Sequence, residues 1–203
     1  CSLVDGYCQP ATDEDCAGSL GCKQYAACSM GAWGCVPMTD EDCAQSATCA
    51  NYGACAFGGE FEGCVPGEDA HCAESANCAI SGACSKVGQW CEPASDDDCL
   101  KSEVCAEHGE CSYMGGYCGV GSNEDCAKSK ACSVEGRCSY DGWGCSATSA
   151  DDCAASANCL LVGNCTLFSS MCLPGSKDDC AGSLACAQQG LCDYEMNMCI
   201  AGD

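Results

Sequence analysis

Thirty of the 203 residues are cysteine, and their spacing limits the chemistry open to them. From Cys16 onward four cysteines recur at intervals of 6, 6 and 7 residues, and the pattern restarts 8 residues later; only the second unit differs, with a last interval of 9. The closest neighbours stand six apart, so neither C-x-C nor C-x-x-C occurs. Thiolate clusters, zinc ribbons, thioredoxin-like redox pairs and haem attachment all need nearer neighbours. Structural disulfides are the chemistry that fits, and a chain so rich in them belongs in an oxidising compartment: secreted, surface or periplasmic. The expected bridging set is Cys16, Cys22, Cys28 and Cys35, then Cys99, Cys105, Cys111 and Cys118, and their equivalents in every unit.

The second chemistry-bearing set is acidic. The formal net charge is −23, and the acids gather just ahead of the first cysteine of each unit: Asp13 and Asp15, Asp40 and Asp42, Asp96 and Asp98, Glu124 and Asp125, Asp151 and Asp152, Asp178 and Asp179. Oxygen-rich clusters of this kind suit calcium, although no EF-hand spacing is present. Acids in a first helical turn also complement the macrodipole, which is a purely structural use of the same residues. Calcium is the one cofactor the sequence raises. The acidity argues against nucleic acid and anionic membranes as partners and favours cations or basic surfaces.

The two histidines, His71 and His108, accompany no nucleophile elbow, zinc-protease helix or phosphate loop, so the chain reads as a non-enzyme. Aromatic or sulfur-bearing residues recur late in the turn between third and fourth cysteines: Tyr7, Trp33, Trp90, Tyr117, Trp143, Met171 and Met198. They either cover the disulfides or form a ridge on which glycans stack.

The elements that position these groups repeat with a period of 27 residues, once 29. Such self-similarity marks an array in which each unit stacks only on its neighbours. Four residues before the first cysteine stand Thr12, Thr39, Glu68, Ser95, Ser122, Ser149 and Ser176, each followed at the third position by Asp, or by His71 in unit three. That is close to a capping box. Four residues after the second cysteine comes glycine, with Ala26 as the exception, which supplies a left-handed helix end. Start and stop signals predict one helix of about 12 residues per unit. The serine three residues after each first cysteine (Ser19, Ser46, Ser75, Ser102, Ser129, Ser156, Ser183) reads as a small residue permitting close helix stacking, or as a solvated position. Gly-rich turns between third and fourth cysteines predict a small hairpin.

The boundaries are a half repeat and lead-in over 1–15, then repeats over 16–42, 43–71, 72–98, 99–125, 126–152, 153–179 and 180–203. Cys1 sits in register with the third cysteine of a unit, although an N-terminal cysteine also suits a lipid-modified lipoprotein. No run of 18 apolar residues predicts a membrane span. Unit two carries a longer turn, Ala56 to Gly63, and with His71 after it this is the one irregular patch, read as a bend, a binding site or a neutral insertion.

Six residues along one helix separate first and second cysteines by about 9 Å and about 120°, too far for a bridge. Three regular schemes remain: first-to-third with second-to-fourth; third-to-first with fourth-to-second across the boundary; and second-to-third with fourth-to-next-first. The first leaves Cys1 and Cys8 to each other, the second leaves Cys192 and Cys199, and the last leaves Cys1 and Cys199 at opposite ends, permitting a head-to-tail bridge between subunits. Cys1, Cys8, Cys192 and Cys199 are the candidates for such bridges.

The signature S-D-x-D-C-A-x-S-x-x-C-x-x-x-G-x-C-S-x-x-x-G-x-C resembles cysteine-rich tandem repeats of secreted or surface proteins of bacteria, including myxobacterial types. The resemblance covers nearly the whole chain and implies an extracellular location, with no activity attached. The sequence thus reads as a disulfide-rich tandem-repeat solenoid or rod. Its small α+β unit of one short helix and one small hairpin occurs seven times after an N-terminal half unit. The expected role is an extracellular fibre subunit or surface stalk that self-associates into a homopolymer. The alternative is a monomeric secreted module binding calcium through the acids or glycans through the aromatics.

Overall fold

Serine decides the local structure of every repeat. The computed structural model describes residues 2–4 and 7–202, and repeat six shows the construction. Ser149 is extended (φ −134°, ψ 157°), its Oγ accepts the N–H of Asp152, and the Asp152 carboxylate accepts the N–H of Ser149 at 3.1 Å. This capping box starts the helix Ala150–Ala154. Ser156 is extended again (φ −76°, ψ 150°) and starts a second helix, Ala157–Val162, by accepting the N–H of Cys159 at 3.1 Å. Gly163, at φ 82°, ends that helix. An antiparallel hairpin of Thr166–Phe168 and Met171–Leu173 completes the repeat.

The expected single helix of about 12 residues is therefore two helices, from Asp13–Ala17 and Leu20–Tyr25 in the first repeat to Lys177–Ala181 and Leu184–Gln189 in the last. The reason is the recurrent serine. A serine hydroxyl competes with the backbone for hydrogen bonds and favours a cap over a helix interior. Here the Oγ of Ser156 also donates to the carbonyl of Cys153 at 2.8 Å, so the hydroxyl is satisfied twice although nearly buried. Ser46, Ser75, Ser129 and Ser183 make the same pair of bonds to the two cysteines that flank them. The solvated reading of these serines does not hold, because they lie buried; they are caps as well as small buried residues.

The bridges keep the second-to-third pairing of the last scheme, but the fourth cysteine pairs with the first of its own repeat and not with the next. First pairs with fourth within a repeat: Cys16–Cys35, Cys43–Cys64, Cys72–Cys91, Cys126–Cys145, Cys153–Cys172 and Cys180–Cys199. Second pairs with third, from Cys22–Cys28 to Cys186–Cys192, including Cys105–Cys111. Cys99 and Cys118 are disulfide-bonded as well. The break at serine shortens the second helix to six residues, and the glycine that ends it reverses the chain. The third cysteine then lies 4.4 Å (Cα–Cα) from the second in repeat six. Cys192 and Cys199 are thus committed inside the chain and do not join subunits. Cys1 and the side chains of Tyr7 and Cys8 lie outside the described residues.

The chain forms two compact units, Cys1–Ser102 with Gly115–Tyr117, and Glu103–Met114 with Cys118–Asp203. Within the first, the second helices stack in series, Leu20–Tyr25 on Ala47–Tyr52 and that on Ala76–Ser81; the first helices Asp13–Ala17, Asp40–Ala44 and Asp69–Ala73 each pack on the hairpin that follows in their own repeat. Within the second unit the same series runs from Glu103–His108 to Leu184–Gln189.

Large aliphatic side chains contribute little to the interior. The buried set is mostly cysteine, alanine and serine, joined by Val120, Asp42 and Asp98, with the first cysteine of every repeat at 0 % exposure. The described cluster in repeat six is Ala147, Cys153 and Cys172 with Leu167 against it. So small a core cannot offset the entropy of ordering the chain, and the bridges make up the difference by restricting the unfolded state.

The stacking glycines are needed twice over. A Cβ on Gly136 would stand 2.7 Å from both the Asp152 carbonyl oxygen and Cys172 Sγ of the next repeat, and its φ is +75°. Gly163 faces Asp179 and Cys199 in the same way.

Candidate functional site

The acidic stripe consists largely of structural carboxylates. The last acid of each cluster lies where a hairpin, a lead-in segment and a helix meet. Asp42 Oδ2 accepts from Ser29 Oγ at 2.8 Å and from the N–H of Met38 at 2.9 Å. Asp98 does the same with Ser85 and Ala94, Asp125 with Ser112 and Gly121, and Asp179 with Thr166 and Gly175. Asp15 accepts from Ser2 Oγ and the N–H of Ala11. Asp152 completes the series with Ser139 and Thr148. Partial burial acts to raise the Asp152 pKa. The N–H groups of Thr148 and Ser149 and the hydroxyls of Ser149 and Ser139 outweigh it, leaving the pKa below the ordinary 3.8.

The first acid of the cluster does a second job. Asp13 Oδ1 accepts the N–H of Met30 at 2.6 Å and Asp40 Oδ1 that of Phe57 at 2.7 Å, each fixing a helix to its own hairpin. Asn123 replaces the acid in repeat five and accepts from Tyr140 at 2.7 Å, so the bond does not require charge. Asp96 opens the helix Asp96–Cys99. Glu124 pairs with Lys128 at 2.7 Å, while Asp151 and Asp178 are exposed in their first turns. Among the described residues no group of three or more His, Cys, Asp or Glu side chains is placed to hold a metal ion.

Unit three shows what happens without the aspartate. His71 Nδ1 accepts the N–H of Gly67 at 3.1 Å, and Glu68 makes no side-chain cap bond. His108 ends the helix Glu103–His108.

Trp33 and Trp143 cover no disulfide: they stand at hairpin turns facing solvent, 99 % and 96 % exposed, and Trp90, Tyr117, Met171 and Met198 are exposed as well. Around Trp143 the turn is built for display. Asp141 Oδ1 accepts the N–H groups of Trp143 at 2.9 Å and Gly144 at 3.1 Å, and these bonds hold the Asp141 carboxyl below its ordinary pKa.

Sequence reasoning saw the acids and the tips but missed the Ser–Asp pairing that joins hairpin to following helix. Its signal was present, a serine or threonine directly after the third cysteine wherever the aspartate also occurs, as at Ser29 with Asp42 and Thr166 with Asp179.

Repeats and bridges together define the class: a disulfide-rich tandem-repeat protein of small α+β units. Comparison of the chain with protein families, with curated proteins and with solved structures finds no match. No described helix is long and apolar enough to cross a membrane.

Proposed function

We propose that this is an extracellular structural protein, a fibre subunit or surface stalk whose repeats continue from one copy to the next by non-covalent stacking. The bridge density supports an oxidising, extracellular setting. So does the likeness to cysteine-rich repeats of bacterial surface proteins. The role is non-enzymatic. One observation carries the assembly reading. Gly136 and Gly163 each receive a carbonyl and a bridge sulfur of the following repeat, so successive repeats stack through one recurring contact. A contact that recurs between like surfaces along the chain is of the kind that also forms between copies, and an open contact of that sort propagates as a filament.

The test is native size against concentration after blocking free thiols, with electron microscopy of the concentrated sample. Polymers that dissolve on dilution without reductant support the reading. A persistent monomer at high concentration sinks it.

The exposure of Trp33 and Trp143 favours a second reading, a monomeric module that binds glycans at its hairpin tips. Saturable glycan binding by such a monomer decides for it. Calcium has less support, because most of the acids it needs already accept hydrogen bonds. A calorimetric titration of the metal-free protein with calcium tests it directly.

A further inference from the structure

The two additional residues of repeat two create a feature the other repeats lack. The hairpin Ala56–Gly59 with Gly63–Val65 carries a register shift between Phe57 and Gly59 and a lengthened turn. Together with the hairpin of repeat one it bounds a groove of about 540 Å³ lined by Trp33, Val36, Met38, Glu60, Phe61 and Glu62 among others. That volume suits a small ligand or one or two side chains. Trp33 and Phe61 are fully exposed, and Glu62 is held by Gln89 Nε2 at 2.6 Å, so one carboxylate is fixed at the rim.

The chemistry of the lining selects its occupant. Two carboxylates accept hydrogen bonds and cannot donate, and the two rings offer π faces. Among these polar side chains the Trp33 indole N–H is the one donor. A sugar presents hydroxyls that both donate and accept, and half of its needs go unmet here. Lysine and arginine carry donors only, bear the opposite charge, and sit favourably over indole and phenyl faces. With 30 acids against 7 basic residues on the chain, the charge must come from a partner. We propose that the groove between the hairpins of repeats one and two docks a Lys- or Arg-bearing segment of a partner protein, its cation over Trp33 and Phe61 and its charge met by Glu60 and Glu62. The inference stands apart from the filament reading, because it uses neither the stacking glycines nor self-association.

Repeat five supplies an internal control. Trp143 occupies the position of Trp33 and is equally exposed, but the next hairpin turns through Ser169 and Ser170 and offers no carboxylate there. The chain's three tryptophans give three indole N–H resonances, assignable with single Trp→Phe variants. The intact oxidised protein is titrated at physiological salt with tetra-arginine amide, and in parallel with cellohexaose. The expected result is saturable movement of the Trp33 resonance alone. Phe61→Ser, or Glu60→Gln with Glu62→Gln, then weakens binding about tenfold, while Trp143→Ser leaves it unchanged. Equal movement of all three indoles, or an equal loss in Trp143→Ser, means diffuse adsorption to a negative surface and overturns the proposal. So does an immobile Trp33, or a Trp33 that responds to cellohexaose and not to tetra-arginine.

Discussion

His71 Nδ1 accepts the N–H of Gly67, the bond that Asp125 Oδ2 makes to Gly121 and Asp179 Oδ2 makes to Gly175. An imidazole has thus replaced a carboxylate with its lead-in contact intact. The carboxylate's second donor has gone as well: the position held by Ser29, Ser85 and Ser112 in other repeats is Ala56 in repeat two. Acceptor and donor are missing together, so no hydroxyl is stranded. The neutral Nδ1 that this bond needs also fixes the tautomer, with the proton on Nε2.

The same unit lacks its N-terminal cap, since Glu68 makes no side-chain cap bond to the helix Asp69–Ala73. Glu68→Ser restores a hydroxyl of the kind that caps the helices after Thr12, Thr39, Ser122, Ser149 and Ser176. It is expected to stabilise that helix by about 1 kcal/mol. Slower amide exchange at His71 and Cys72 is the readout.

Removing a linking serine acts in the opposite direction. Ser156→Ala deletes the cap on Cys159 N–H and leaves the buried Cys153 carbonyl without its hydroxyl donor. A loss of about 2 kcal/mol follows, seen as faster exchange through Ala157–Val162 and earlier reduction of Cys159–Cys165 in a dithiothreitol series.

Gly136 and Gly190 share a left-handed conformation, at φ +75° and +73°, but not a neighbourhood. Gly136→Ala adds both backbone strain and a methyl driven against Asp152 and Cys172, at a cost of about 2–4 kcal/mol. Gly190→Ala meets only the strain, about 1 kcal/mol. Denaturant melts of the two variants should separate them, and equal costs would mean that stacking space is irrelevant.

The depressed pKa of Asp152 sets the sign of an acid response. Its folded value lies below the ordinary 3.8, so its contribution is complete above that value and is lost as pH falls through the folded value. The Thr148 amide, whose N–H Asp152 accepts, is expected to stay protected above the ordinary carboxylate pKa of 3.8 and to lose protection only as pH falls below it. In Asp152→Asn the change disappears.

Much of this fold is legible in the chain. The period, the capping residues such as Ser149, the glycines and the hairpin turns are local features, and local chemistry decides them. The break within the helical stretch was not legible. A serine three residues past a cysteine looks small in a sequence, and only its two bonds, to Cys153 and Cys159, reveal a cap. The bridge pattern depended on that break: it shortens the second helix so that its bridge can close, and the hairpin's folding back onto the first helix is a tertiary event. The Trp33–Phe61 groove was legible as an irregularity and no further, because the position of an inserted turn depends on the neighbouring hairpin.

Nested pairing also decides how the chain responds to a cut backbone. Cys22–Cys28 lies inside the loop closed by Cys16–Cys35, so a protease acting between residues 16 and 35 leaves both new ends tied to the same molecule. Only the connectors, such as the seven residues between Cys35 and Cys43 or between Cys145 and Cys153, rest on a single covalent strand. Those connectors hold the lead-in segments, in which Asp42 and Asp152 gather the backbone of Met38 and Thr148 into hydrogen bonds. The protein therefore guards by folding the stretches that it cannot guard by crosslinking, and tolerates nicks wherever a loop is already closed.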